Sequence, residues 1–292
     1  MVERSHSYRT RAVILRRRNY SDADRILTVF TPSLGKRVLI AKGSRKTMSR
    51  KAGHLELFNH VSLLVAQART WDIVTESVTV ESFLQLRSDL DAIGRAAYIC
   101  ELVDAFTAED DEHEAVWELL LLCLRNLDCG PGREEEADLL LRWFELQLLS
   151  LMGFQPELFA CLGCGEGLQP VENFLHLSAG GVFCPQCGRT LQGAELVNVS
   201  TLKILRHISR NQWEALHSLQ LKHTSAMAVE SVLQRYLVTI LERRLKSTDF
   251  IHRLRQAPAD RKRIEEPGIR PASRGSRHSP PDTEDFFDEV DR

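Results

Sequence analysis

Between residues 8 and 81, apolar and β-branched positions come in short runs set apart by turn-forming clusters, and no helical period links the first three. Thr10-Arg11-Ala12-Val13-Ile14-Leu15, then Arg25-Ile26-Leu27-Thr28-Val29-Phe30-Thr31, then Arg37-Val38-Leu39-Ile40-Ala41 predict three strands, with Thr31-Pro32-Ser33-Leu34-Gly35 as the turn between the last two. A fourth run, Leu55 to Ala66, puts Leu57, Val61, Leu63 and Val65 on one side at period two, and a fifth covers Ile73 to Val80. Five short strands with no helical period between the first three fit a small closed barrel better than an α/β sheet, and an OB-type barrel is the leading expectation.

At Phe83 the period lengthens to that of a helix. Phe83, Leu86, Leu90, Ile93, Ala97, Cys100 and Phe106 fall near one face, and a second helix over 113–127 turns Val116, Leu119, Leu120, Cys123 and Leu127 inward. A third opens on Glu134-Glu135-Glu136, favourable beside the positive end of a helix dipole, runs through Leu140, Trp143, Leu146 and Met152, and stops at Gly153. Further on, Ser200 is the expected cap of a helix over 201–210. A long amphipathic helix over 225–246 carries Val229, Val232, Leu233, Tyr236, Leu237, Ile240 and Leu241, after which Phe250, Ile251 and Leu254 can return to the bundle.

From residue 257 the prolines Pro258, Pro267, Pro271, Pro280 and Pro281 interrupt a polar sequence that cannot bury enough apolar surface to offset its ordering entropy. The pattern as a whole predicts a multidomain α+β chain. Its parts are an OB-type nucleic-acid-binding domain over 1–81, a helical domain in two pieces (82–155 and 193–256), a cysteine-bearing insert over 156–192, and a disordered tail over 257–292 with an acidic-aromatic end.

Composition narrows the class. The chain has 292 residues, 43% hydrophobic and 27% charged, and no apolar run approaches the roughly 18 residues of a membrane span. The first residues lack an apolar signal region, so a reducing cytoplasm is expected, and seven cysteines there direct attention to metal rather than to disulfides. Charge is polarised: Val2 to His60 holds fourteen Lys or Arg against four acids, whereas the whole chain is formally −2. A basic end on an otherwise acidic chain is the footprint expected for a polyanion.

The loop after the third strand carries Lys42, Arg45, Lys46, Arg50 and Lys51 with no acid between them. Alone, such a run is a solvated surface loop. Arg16, Arg17 and Arg18 at the end of the first strand, with Arg25, Lys36 and Arg37, change that reading, because these groups can converge on one barrel face and hold a phosphate backbone. Tyr20 or Phe58 can stack on bases, while Phe30 and Trp71 read equally well as core.

Cys161-Leu-Gly-Cys164 and Cys184-Pro-Gln-Cys187 are two C-x-x-C knuckles nineteen residues apart. Two thiolates from each turn complete a tetrahedral shell, and one structural Zn²⁺ is the expected occupant, with iron in a rubredoxin-like site or a redox pair as the lesser alternatives. A shell of four thiolates leaves no position for a reacting water. His176, between the knuckles, is expected on the surface or in packing, Cys100 and Cys123 in the core, and Cys129 has no paired neighbour. The chain also lacks Gly-x-x-x-x-Gly-Lys-Ser/Thr, His-Glu-x-x-His and Gly-x-Ser-x-Gly, so no enzyme class is indicated.

In this order of elements the sequence resembles RecO, a bacterial DNA repair and recombination-mediator family. The likeness is carried by residues 20–31 (Tyr20-Ser-Asp-Ala-Asp-Arg25 onward), 35–45 (Gly35-Lys-Arg-Val-Leu-Ile onward), Ala97-Tyr-Ile-Cys-Glu101-Leu-Val-Asp, the two knuckles with Phe183 before the second, and Arg243-Arg-Leu-Lys-Ser-Thr-Asp-Phe250. It covers about residues 6 to 254 and omits the tail. The resemblance implies an OB-fold DNA-binding domain joined to a helical domain whose zinc site some members lack. It implies a non-enzymatic cytoplasmic, nucleoid-associated protein that binds single- and double-stranded DNA and anneals complementary strands. With RecR as partner, such a protein helps RecA replace single-strand-binding protein on gapped DNA. An RNA-binding module and a protein–protein adaptor are the competing readings.

Overall fold

A computed structural model describes residues 7–130 and 134–256; the tail expected from 257 lies outside the described residues. Strands β1 (Ser7–Asn19), β2 (Arg25–Thr31), β3 (Gly35–Ala41), β4 (His60–Ala66) and β5 (Asp72–Glu81) close into a barrel in the order β1-β2-β3-β5-β4. One parallel contact, Leu39↔Asp72 and Ile40↔Ile73, joins β3 to β5, and the other ladders are antiparallel. This is the OB-type barrel that the five runs predict. Its core holds Ala12, Leu27, Val29, Leu39, Val61, Leu63, Val65 and Val74, all buried.

β1 serves two neighbours. Ser7–Val13 pairs with β4 and Val13–Asn19 with β2, with a register shift between Ile14 and Arg16. A bulge of this kind bends a strand so that it can close a barrel, and it keeps Arg16, Arg17 and Arg18 within the ladder.

The fourth strand starts at His60, five residues later than the apolar run. Ala52–His54 form a 3₁₀ turn, and Phe58 has a left-handed φ of 70°, which a strand residue does not adopt. Leu55, Leu57 and Phe58 are nonetheless buried, so their period reported burial rather than extension. The segment is pinned where β1 changes partners: Ile14 N donates to Asn59 O at 3.1 Å and Phe58 N to Ile14 O at 2.9 Å.

The predicted first helix is also divided, into α1 (Leu84–Arg87) and α2 (Leu90–Phe106). Asp89 accepts a hydrogen bond from Asp91 N and caps the second piece. After α3 (Glu114–Asp128) come α4 (Glu134–Leu151), the strands β6 (Asn173–His176) and β7 (Gly181–Phe183), α5 (Pro185–Gly188) and β8 (Glu195–Val197). The remainder is α6 (Val199–Arg210), α7 (Trp213–Leu216), α8 (His223–Leu241) and α9 (Lys246–Gln256). Asn198, not Ser200, caps α6 by accepting from Thr201 N at 2.8 Å. Glu242, at φ 54°, ends the predicted long helix before its expected limit. Among the described residues, no helix is long and apolar enough to cross a membrane.

The described residues fall into two compact units, 7–130 with 246–256 and 134–245, a division that cuts the helical stretch 82–155. In the first unit α9 returns to α2. Glu101 accepts from Lys246 N and Ser247 N, both at 2.9 Å, and so places a carboxylate at the N-terminus of α9. Phe250 and Leu254 lie against Gly94, where a Cβ would come within 3.3 Å of Phe250. In the second unit α4 contributes Leu140, Phe144 and Leu148 to a core completed by Leu202 and Leu205 of α6 and Val229, Leu233 and Leu237 of α8.

The barrel is tied to α3 through Glu81, which accepts two hydrogen bonds from Arg125, at 2.9 and 2.7 Å, and lies 3.4 Å from His60 Nδ1. The bond from Arg125 holds the Glu81 carboxyl below its usual value of 4.5. A depressed folded value means that the stabilisation is present above the unfolded pKa and lost as pH falls through the folded one. Glu81→Gln is therefore expected to cost about 1 kcal/mol at pH 7 and to flatten the fall in melting temperature below about pH 4.5. Melting curves across that range check this; matching acid limbs in the two proteins would contradict it.

Candidate nucleic-acid interface and metal centre

At one end of the barrel the β1–β2 turn meets the loop leaving β3. Arg45 N donates to Ala23 O at 3.0 Å, Gly43 N to Asp24 Oδ1 at 2.8 Å, and Arg45 Nη1 to Ser21 O at 3.0 Å. The β1–β2 register brings Arg16 opposite Thr28 and Arg18 opposite Ile26, at the same end as Lys42, which follows β3 directly. Arg16, Arg18, Lys42, Arg45, Lys46 and Arg50 are exposed. Among the described residues, no carboxylate forms an ion pair with any of these six.

The other five expected cations are placed differently. Arg17 and Arg25 share Glu56, at 2.5 and 3.7 Å. Lys36 pairs with Asp104 at 3.0 Å and Arg37 with Asp110 at 2.7 Å. Register puts Lys36 opposite Phe30 and Ala41 opposite Arg25, so Lys36 lies about 17 Å along the strand from the rim. Lys51 Nζ donates to Val74 O at 3.0 Å, and burial lowers its pKa. Of the eleven, six form an exposed rim without an ion-paired carboxylate among the described residues, and five are held by carboxylates or by the barrel backbone.

Of the aromatic candidates, Tyr20 is 55% exposed and stands edge-on to Trp71, with ring centroids 5.1 Å apart. Phe58 is buried and cannot stack on a base; Phe30 is core. Sequence reasoning missed Asp104 of α2 as the partner of Lys36, and the acidic run Glu109-Asp110-Asp111-Glu112, whose Asp110 pairs with Arg37. Its bridges to Gly35 and Lys36 bring it to the β2–β3 turn. An uninterrupted acidic cluster beside a helix end was the available signal.

The four-cysteine lobe is a three-stranded sheet in the order β7-β6-β8 with a knuckle on either side of β6–β7. The sulfurs of Cys161, Cys164, Cys184 and Cys187 all lie within 4.8 Å of one another, with Cys164 and Cys184 at 4.0 Å. A tetrahedral shell with metal–sulfur bonds of about 2.3 Å separates its sulfurs by about 3.8 Å, so the four residues can hold a metal ion. Burial alone would push the Cys161 thiol up, but N–H groups of Cys184, Cys164 and Gly163 pull it down to about 6. Cys187 is pushed up to about 12, first by its neighbour Cys184 and then by burial. Four adjacent sulfurs cannot all ionise without a cation among them.

Glycines admit this approach for a steric reason. A Cβ at Gly163 would stand 2.9 Å from Cys187 Cβ, and the turn's left-handed residue is Gly165, at φ 76°. His176 is outside the quartet: its Nδ1 accepts from Ala179 N at 3.1 Å, so Nε2 carries the proton it gives to Gln192 O. Cys100 and Cys123 are buried, and burial pushes both thiols up.

Fold and site together define an OB-barrel protein with a second, helical unit that bears a four-cysteine lobe able to hold a metal ion. Residues 5–83 match the family described as Recombination protein O N terminal, and residues 87–249 match Recombination protein O C terminal. The chain belongs to the RecO family of DNA repair and recombination proteins. It is 38% identical over 253 residues to the DNA repair protein RecO of Roseiflexus sp. (strain RS-1), covering 87% of this chain and 88% of that protein. Identity is 37% over 252 residues to that of Symbiobacterium thermophilum (86% and 98% covered) and 34% over 256 residues to that of Dehalococcoides mccartyi strain 195 (88% and 99%).

Proposed function

We propose that this protein holds single- and double-stranded DNA by the barrel rim without reading sequence, anneals complementary strands, and acts with RecR to help RecA replace single-strand-binding protein on gapped DNA. Family membership supports the role in DNA repair and recombination. The observation that carries the mode of contact is the rim: six exposed Lys and Arg without an ion-paired carboxylate among the described residues. Guanidinium and ammonium groups there displace counterions condensed on the phosphates, which drives binding without base contacts. Tyr20, exposed beside the rim, supplies a face on which a base can stack.

Annealing follows from the same electrostatics. A strand whose phosphates are neutralised repels its complement less, so pairing speeds up without ATP and without a covalent step. In this reading the four cysteines hold one structural Zn²⁺ that keeps the lobe rigid, and the protein is a mediator rather than an enzyme, working in the cytoplasm at the nucleoid. The test is annealing of short complementary DNA strands, with RNA strands of matched sequence alongside. DNA annealing accelerated without nucleotide supports the proposal. Preference for RNA with no acceleration of DNA pairing would favour an RNA-binding module.

A further inference from the structure

Residues 282–291 read Asp282-Thr-Glu-Asp-Phe286-Phe287-Asp-Glu-Val-Asp291, six carboxylates around two adjacent phenylalanines, followed by Arg292. A DNA single strand offers a partner the same chemistry, closely spaced anions interleaved with flat apolar rings. The rim meets both demands. Its cations have no ion-paired carboxylate among the described residues, and the apolar side chains beside them are open, Met48 at 91% and Tyr20 at 55% exposure. We propose that Asp282–Asp291 seats on the barrel rim of its own chain and competes there with nucleic acid, so that DNA must displace it. The inference rests on the rim being the nucleic-acid interface, and it adds an occupant that regulates access.

Reach and placement agree with this assignment. α9, the last described element, belongs to the same compact unit as the barrel, and twenty-five residues separate it from Asp282. That length spans up to about 85 Å, enough to reach any point on the barrel. The match to the family stops at residue 249, short of the acidic end. A tether of this length keeps its end at roughly millimolar concentration near the rim. A segment whose free peptide binds at about 100 μM would then weaken DNA binding about tenfold, and most at low salt, where ionic contacts are least screened.

The experiment uses the full chain with the six carboxylates neutralised (Asp282→Asn, Glu284→Gln, Asp285→Asn, Asp288→Asn, Glu289→Gln, Asp291→Asn) and a fluorescent peptide of residues 282–292. At about 50 mM salt the neutralised chain is expected to bind an oligo-dT strand about tenfold more tightly than the natural chain. The peptide is expected to bind the neutralised chain and to lose that binding when Arg18, Lys42, Lys46 and Arg50 are changed to Glu. Equal DNA affinity of the natural and neutralised chains would overturn the proposal. So would peptide binding that ignores the rim changes, since the segment would then seat on another surface or on a second protein. Peptide binding at the rim by a protein that binds no DNA in either form would uphold the seating and sink the DNA reading alone.

Discussion

Changing Arg18, Lys42, Lys46 and Arg50 together to Glu is expected to weaken single-strand DNA binding by two to three orders of magnitude at about 100 mM salt. Each of these side chains is exposed, and none has an ion-paired carboxylate among the described residues, so reversal is expected to remove a proposed phosphate contact without freeing a buried acid. The size follows from summing losses of about 1 kcal/mol per contact, with added repulsion from the new carboxylates. The informative control is Lys36→Glu with Arg37→Glu. Those two cations already hold Asp104 and Asp110, so their reversal is expected to destabilise the barrel unit while leaving DNA affinity within about threefold at matched folded protein. Equal loss in the two variants would mean that net charge, rather than the rim, governs binding. A rim variant that keeps repair activity in cells would support the adaptor reading.

Cys161→Ser, or removal of metal by a chelator, is expected to lower the melting temperature of the second unit by more than about 10 °C. Cys161 is the buried member of the quartet, and its sulfur accepts from Gly163 N at 3.4 Å and Cys184 N at 3.2 Å. It thus organises both knuckles. Without a cation, sulfurs this close repel once ionised, and β6, β7 and β8, of four, three and three residues, are too short to hold the lobe by packing. Structural zinc in isolated fingers is worth about 10 to 16 kcal/mol apparent, of which a lobe docked on helices would show only part. One zinc per chain by elemental assay, with recovery of the melting temperature on zinc addition, is the expected result. Iron in the purified protein would change the metal assigned, and a metal-free protein with an unshifted transition would remove the structural role. The barrel's DNA affinity is expected to change by no more than about threefold, because the rim is built by residues of the other unit.

What could be read in advance was what local pattern encodes. Period-two burial marked the barrel strands, and ligand spacing alone marked the cysteine quartet, because two knuckles bring four thiols together whatever the surrounding fold. Burial without extension was misread: Leu55, Leu57 and Phe58 are core residues on a segment that a left-handed Phe58 prevents from being a strand. The break at Ser88-Asp89 was hidden because both helical pieces keep an apolar face, and only the capping bond to Asp91 N reveals the new start. The pairing of cations was the least legible part. Glu56 reaches Arg17 and Arg25 from a loop that is bonded to Ile14 in the middle of β1, and Asp104 reaches Lys36 from a helix more than sixty residues away. Tertiary contacts of that range leave no trace in composition, so the sequence did not show which of the eleven cations stand beside a carboxylate.

The central claim, that the rim binds nucleic acid through its phosphates, is tested most directly by titrating salt against affinity for an oligo-dT strand. The chain to use has its six terminal carboxylates neutralised, so that its own end does not compete. Six phosphate contacts, one for each of Arg16, Arg18, Lys42, Arg45, Lys46 and Arg50, predict that log K falls with log salt at a slope of about −4. A slope near zero would mean that binding releases no counterions and would contradict the account.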